Sequence, residues 1–256
     1  MLNKNKIKFI KSLSSKKDRT EAGLFVAEGE KLASEILGSH LTVSYIAGTE
    51  AWFNSIEKKI LPASVETDVV SQEELNRISF LKTPQPVICL VHLPNYELNL
   101  ADLNNKLSLI LDTVQDPGNL GTILRIADWF GIEHVICSPH TADAFNPKVV
   151  QATMGAICRV KIYYDDLNVV LPGIKNMGMP VYGTMLNGEN IYTASLESSG
   201  FIVRGNESNG IHPSTVPFLD KKLLIPFFPE GQKRSESLNV AVATAIICSE
   251  FRRRII

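Results

Sequence analysis

Along this 256-residue chain the hydrophobic pattern alternates between two periods. Ile7, Ile10 and Leu13 recur at helical spacing among lysines, which predicts a short helix over 4–13 with its apolar stripe inward. Residues 23–27 (GLFVA) read as a buried strand. Glu28-Gly29 then turns the chain into an amphipathic segment that runs through Leu37. Strands are predicted at Val43–Ala47, Val65–Val70 and Pro86–Val91, with a helical stretch from Trp52 to Lys59. Ser71 with Glu74 forms a capping box, so a further helix begins there. Alternation of this kind predicts a small α/β domain over residues 1–93. Residues 94–106 are polar, Asn-rich and aperiodic, and read as a linker.

From Leu107 the apolar runs become continuous. Leu107–Leu111 is a continuous apolar run suited to a central parallel strand, and His134–Cys137, Val160–Tyr164, Pro180–Thr184, Gly200–Arg204 and Leu223–Ile225 read as further strands. Asp112–Gly121 reads as a turn-rich loop and Thr122–Phe130 as a helix, with Gly131 at its C′ position. Asn146-Pro147 reads as N-cap and N1 of another helix. Ser237 is the expected N-cap of a last helix, in which Ala241, Ala243 and Ala245 permit close approach. The second domain, 107–256, is therefore expected to be α/β, a parallel sheet with helices on both faces.

Charge adds an asymmetry that the net value of −1 conceals. Residues 1–20 carry Lys4, Lys6, Lys8, Lys11, Lys16, Lys17 and Arg19 against Asp18 alone, and the chain closes on Arg252, Arg253 and Arg254. These ends are either polyanion contacts or solvated faces, and cations at a helix C-terminus also complement its dipole. Cys89, Cys137, Cys158 and Cys248 stand far apart in apolar runs with no CxxC pair, which fits reduced core thiols and a cytoplasmic protein. The five histidines have no metal-ligand spacing, and no metal site is expected. The start of the sequence lacks a signal-peptide core, and no apolar run is long enough to span a bilayer.

Three loops follow strand ends in the second half: Asp112–Gly121, Gly205–Gly210 and Pro226–Ser237. Parallel sheets bind ligands at the carboxyl ends of their strands, so the three are candidates for one site. None is a GxGxxG fingerprint or a P-loop, which disfavours dinucleotide and nucleoside-triphosphate folds. DPGNLGTILRIADWFG, VRGNESNGI and IPFFPEGQKRSESLNVAVATAI occur in that order. Together they resemble the three motifs of the SpoU (TrmH) family of RNA ribose methyltransferases. FVAEGEKL and KTPQPV resemble the family's substrate-binding domain more loosely.

The resemblance implies an L30e-like N-terminal domain and a SPOUT α/β domain with a trefoil knot. It also implies S-adenosylmethionine (AdoMet) as cofactor, a homodimer, and methyl transfer to a ribose 2′-hydroxyl of rRNA or tRNA, with rRNA favoured. By the same resemblance Arg125, Ser237 and Asn239 are the catalytic positions, and Thr184, Gly205, Asn206, Glu207, Ile225 and Leu238 the cofactor positions. Asn119 would bond substrate or brace its loop, and Lys6, Lys8, Lys11 and Arg19 would meet RNA phosphates. A guanidinium is a poor base at ordinary pH, so Arg125 suits gripping a phosphate and orienting the hydroxyl better than deprotonating it. Glu207 suits holding a loop through backbone N–H groups. The loop Phe227–Glu236, with Lys233 and Arg234, is longer than the family pattern. Two alternatives stay open: a non-catalytic RNA-binding protein of the same fold, and a SPOUT enzyme that methylates a base.

Overall fold

The structure, a computed structural model, describes residues 2–56, 61–62, 64–228 and 237–254. It divides into two compact units, 1–95 with 143–159, and 96–142 with 160–256.

The first unit is built on a four-stranded sheet of order β1-β4-β2-β3, comprising β1 (Leu24–Glu28), β2 (Val43–Gly48), β3 (Glu66–Val69) and β4 (Val87–His92). β4 runs antiparallel to β1 and β2, and β3 parallel to β2. Helices α1 (Lys4–Ser12), α3 (Glu30–Leu37) and α5 (Gln72–Ile78) form where the periodicity predicts them, and α5 carries the full Ser71/Glu74 capping box. α4 spans Glu50–Ser55 and stops at Ile56, whose backbone is extended, while residues 57–59 of the expected stretch lie outside the described residues. Ile10 and Leu13 are fully buried beside Val26, Leu75, Ile78 and Ile88. Each such side chain contributes about 1.5–3 kcal/mol by leaving water.

α2 (Lys16–Ala22, KKDRTEA) was not legible, because a largely polar segment shows no stripe. It places Arg19 in the core, 2% exposed, with Nη1 donating to Leu13 O at 2.7 Å and Ser14 O at 2.8 Å. Its Nη2 pairs with Asp143. Arg19 is therefore corrected from an RNA contact to an internal strut. Asp143 belongs to a segment of the second half that completes this unit. Its helix α7 (Pro147–Thr153, N-cap Asn146) packs on β1, and Phe145 lies 5.2 Å from Phe25 between ring centroids.

The second unit holds a six-stranded, all-parallel sheet of order β10-β8-β9-β5-β6-β7. Its strands are β5 (Leu107–Leu111), β6 (His134–Cys137), β7 (Lys161–Tyr164), β8 (Val181–Asn190), β9 (Gly200–Arg204) and β10 (Lys221–Leu224). Helices cover both faces. α8 (Leu167–Asn176) buries Val170, Leu171 and Ile174 against Ile110, Phe201 and Val203. On the other face α9 (Val240–Arg253) sets Phe251 edge-on against Tyr182, and α6 (Pro117–Trp129) packs beside α9. Phe251, 1% exposed, is a core residue. The expected linker belongs to this unit instead: Tyr96, Leu98 and Leu100 pack against its core and Leu103 is fully buried. α8 was missed at the sequence level because Pro172 and Gly173 interrupt its pattern.

The three terminal arginines bind carbonyls and a carboxylate of the chain itself. Arg252 donates to Phe130 O at 2.7 Å and to Gly131 O at 3.0 Å, the carbonyls left free where α6 ends. Arg253 and Arg254 both donate to Glu250, and Arg254 also reaches Ile191 O at 2.8 Å and Tyr192 O at 3.2 Å. Hydrogen bonds from Arg253 outweigh the opposing effect of burial, and with those from Arg254 hold the Glu250 carboxyl at about 2. Since the ordinary glutamate value is about 4.3, this carboxylate stabilises the fold above that pH and loses its contribution as pH falls through about 2. Glu250→Gln should lower stability at pH 7 by roughly 2 kcal/mol. The gap to wild type in chemical denaturation should narrow steadily towards pH 2.

Candidate functional site

β5 leads to β6 on one side of it, whereas its neighbour β9 leads to β10 on the other. The boundary between β5 and β9 is thus a topological switch point, where open α/β sheets form ligand crevices beyond their carboxyl ends. The loops after both strands meet there. α6 begins earlier than the sequence suggests: Asp116 is its N-cap, accepting from Asn119 N at 2.7 Å, and Pro117 is N1. Residues 117–121, expected in a loop, therefore form its first turn. The Asp-Pro dipeptide carries that signal.

Glu207, in the loop after β9, reaches across to that turn. Its carboxylate accepts from Gln115 N at 3.3 Å, Asp116 N at 3.2 Å and Asn119 Nδ2 at 3.0 Å. Asn119 Oδ1 in turn accepts from Asn239 Nδ2 at 2.9 Å. Asn239, and not Ser237, is the N-cap of α9, with its Oδ1 accepting from Ala241 N at 2.9 Å and Val242 N at 3.2 Å. One side-chain chain thus ties three loops together. Burial acts to raise the Glu207 pKa, but the hydrogen bonds from Asn119 and the backbone N–H groups prevail and hold it below the ordinary value. Each end of the Asn119 amide is engaged, which ties its loop to Glu207 and to Asn239.

The neighbouring backbone is equally constrained. Asn206 Oδ1 accepts from Ser208 N and Asn209 N, each at 3.0 Å, while its Nδ2 donates to Thr113 O at 2.9 Å. Thr113 sits at φ +65, a left-handed conformation that costs a β-branched residue about 1–2 kcal/mol. Its Oγ1 donates to the buried Asp112, which also accepts from His212 N at 3.0 Å. A Cβ on Gly205 would lie 2.1 Å from Gly210 C, so only glycine lets the loop fold back this closely. At the sheet's other side, the β8–β10 register jumps from Lys222↔Gly183 to Leu223↔Glu189, which loops residues 184–188 out of the ladder. Thr184 stands at the start of that bulge and accepts from Arg204 Nη1. Ile225 follows β10, and Leu238, 51% exposed, precedes α9.

The SpoU rRNA methylase family pattern matches residues 106–249, which contain all of these positions, and the MRM3-like substrate binding domain pattern matches residues 4–89. The chain belongs to the SpoU rRNA methylase family. A Bacillus subtilis relative, the 23S rRNA (guanosine(2553)-2′-O)-methyltransferase RlmP, is 34% identical over 96% of each chain. The Neisseria meningitidis 23S rRNA (guanosine-2′-O-)-methyltransferase RlmB is 30% identical over 80% of this chain and 84% of its own. Among solved structures, a TrmH-family protein from Porphyromonas gingivalis superposes with a TM-score of 0.90 at 40% identity, covering 99% of both chains. An AdoMet-bound rRNA methyltransferase from Sinorhizobium meliloti gives 0.86 at 28% identity, covering 100% of this chain and 97% of its own.

Seen as a SpoU site, the arrangement offers backbone groups from three strand ends and an exposed cation. Arg125 lies on α6, six residues beyond Asn119 and about 9 Å along the axis. It is exposed and makes no hydrogen bond or ion pair with the described residues. Ser237 and Leu238 are exposed ahead of α9. Lys6 and Lys11 are less free than the sequence suggests. Lys6 pairs with Glu66 at 2.5 Å and Asp68 at 3.3 Å, and Lys11 donates to Ser79 O at 2.7 Å. Lys8 and Lys11 are exposed and Lys6 is partly exposed. Asp112, Asp116 and Arg204 escaped sequence reasoning; the first two are signalled only by their place in the DTVQDPG turn. Among the described residues no group of His, Cys, Asp and Glu could hold a metal, and the four cysteines are buried and form no disulfide. Glu207→Ala should cost roughly 1–3 kcal/mol and accelerate hydrogen exchange of the Gln115 and Asp116 amides, while amides of α8 keep their protection.

Proposed function

We propose that this chain transfers a methyl group from AdoMet to a ribose 2′-hydroxyl of ribosomal RNA. The observation that carries the reading is the Glu207–Asn119–Asn239 bridge, because it fixes three strand-end loops of a SpoU-family chain around one crevice. Two relatives spanning most of this chain are rRNA 2′-O-methyltransferases by name. The half-exposed Leu238 and partly exposed Ile225 suit the apolar face of an adenine, with backbone groups of the same loops for its edge. AdoMet, when bound, supplies an electrophilic methyl group.

The chain's own task is then placement. A rigid crevice holds donor and acceptor in line, which accounts for much of the rate gain in a two-substrate reaction. Arg125 grips the RNA phosphate next to the acceptor and orients the hydroxyl, a role its permanent charge and bidentate fork suit. Asn239 fixes the start of α9, and in this reading Ser237, exposed two residues ahead of it, contacts the reacting groups. Thr184, Gly205, Asn206, Ile225 and Leu238 cradle the cofactor, and Glu207 keeps its loop rigid. In the first unit Lys8 supplies a phosphate contact, which fixes position but not sequence. We further read the molecule as a homodimer with a trefoil knot. Residues 229–236, most of the extended loop Phe227–Glu236, lie outside the described residues. The bacterial rRNA-modifying relatives support a cytoplasmic location.

Radiolabelled AdoMet incubated with ribosomal RNA from cells lacking the gene should give label in a 2′-O-methylnucleoside. Arg125→Ala should lower kcat at least about a hundredfold with an unchanged Tm. Label on a base would replace the reaction and keep the fold. AdoMet binding without transfer to any RNA would favour an RNA-binding protein. Lys8→Ala should weaken RNA binding and reduce the slope of log K against log salt by about one.

A further inference from the structure

Arg204 is the last residue of β9, and strand alternation fixes where it points. Val203 joins the α8-side core, so Arg204 turns to the opposite face, beneath α9. The residue is 7% exposed. Nη1 donates to Thr184 Oγ1, and Nε is buried with no partner. Among the described residues no carboxylate forms an ion pair with it. The titratable group coupled to it electrostatically is the Cys248 thiol, which burial pushes up to about 12 and so keeps neutral. Burial draws the guanidinium down to about 10, which leaves it protonated at neutral pH.

A cation this deep, with no counter-charge among the described residues, is expensive, because taking an ion out of water is costly unless it is paired. Nothing in the fold requires it: the residues around it in β9 are apolar, and a long apolar side chain would fill the same place without the penalty. What sets the position apart is Thr184, at the point where β8 leaves the ladder beside the crevice. A ligand anion entering there meets a dry, pre-placed positive charge. RNA phosphates are hydrated and ride at the surface, so the candidate is a small carboxylate carried in by the cofactor itself.

We propose that Arg204 is the receptor for the carboxylate at the methionine end of AdoMet, reached past Thr184. This assignment rests on the AdoMet reading and makes Arg204 a specificity residue for the amino-acid end of the cofactor.

The test is calorimetric binding of two probes that differ only in that group, AdoMet and decarboxylated AdoMet. Wild type should prefer AdoMet at least about thirtyfold, the range for a buried charge losing its partner. Arg204→Met should bring the two affinities within about threefold of each other, by weakening AdoMet and leaving the analogue nearly unchanged. Arg204→Lys, which keeps the charge and loses the fork, should fall between and carries the comparison if the methionine variant does not fold. Equal affinities in the wild type would overturn the assignment, as would a preference that survives in both variants. Binding of neither probe by the wild type would instead take down the cofactor reading, and the assignment with it.

Discussion

The second unit depends on one carboxylate. Glu207 accepts three hydrogen bonds from the loop and first turn that follow β5, although it belongs to the loop after β9. Parallel strands leave their carboxyl ends as unconnected loops, and backbone pairing stops where each strand ends. Something else must set the distance between those loops. A charged acceptor facing the free N–H groups near a helix start does so strongly, because charge-assisted bonds are about twice as strong as neutral ones and the helix dipole adds to them. Through Asn119 the same fastening reaches the N-cap of α9, so the two helices packed on that face start from a common anchor.

Thr113 shows what that anchoring carries. Its left-handed backbone is unfavourable for a β-branched residue, yet N, O and Oγ1 are each bound, to Ser138 Oγ, Asn206 Nδ2 and Asp112. Strain of this kind persists only where the surroundings over-determine it. The crevice is therefore stiff before any ligand arrives, which is what an enzyme that works by alignment requires.

Much of this could be read from the chain. Short apolar runs located the six strands of the parallel sheet, and the continuous run Leu107–Leu111 marked a central one, since a strand buried on both faces shows no alternation. Family-like motifs named the residues at the crevice. Periodicity failed where polarity or breakers hid a helix, as with α2 and with Pro172 in α8. It also misplaced the starts of α6 and α9, because caps are chosen by geometry and a serine two residues early looks as suitable as Asn239. Charge was the least legible property. Arg19, Lys6 and the three terminal arginines read as surface cations, yet each is bound to carbonyls or carboxylates of the chain. Only long-range contacts decide that, and no local pattern encodes them.

The excursion of residues 143–159 into the first unit has a consequence for biosynthesis. Arg19 needs Asp143, and Phe25 and β1 need Phe145 and α7. As the chain emerges from the ribosome, the N-terminal sheet must wait for residues more than a hundred positions downstream before its core is sealed and its buried guanidinium is neutralised. In the usual vectorial order an N-terminal unit is complete before the next begins. Here the two halves of the polypeptide are interleaved in time, and a nascent chain stalled before residue 143 would carry a half-finished first unit with a charge in its interior whose carboxylate partner is not yet translated.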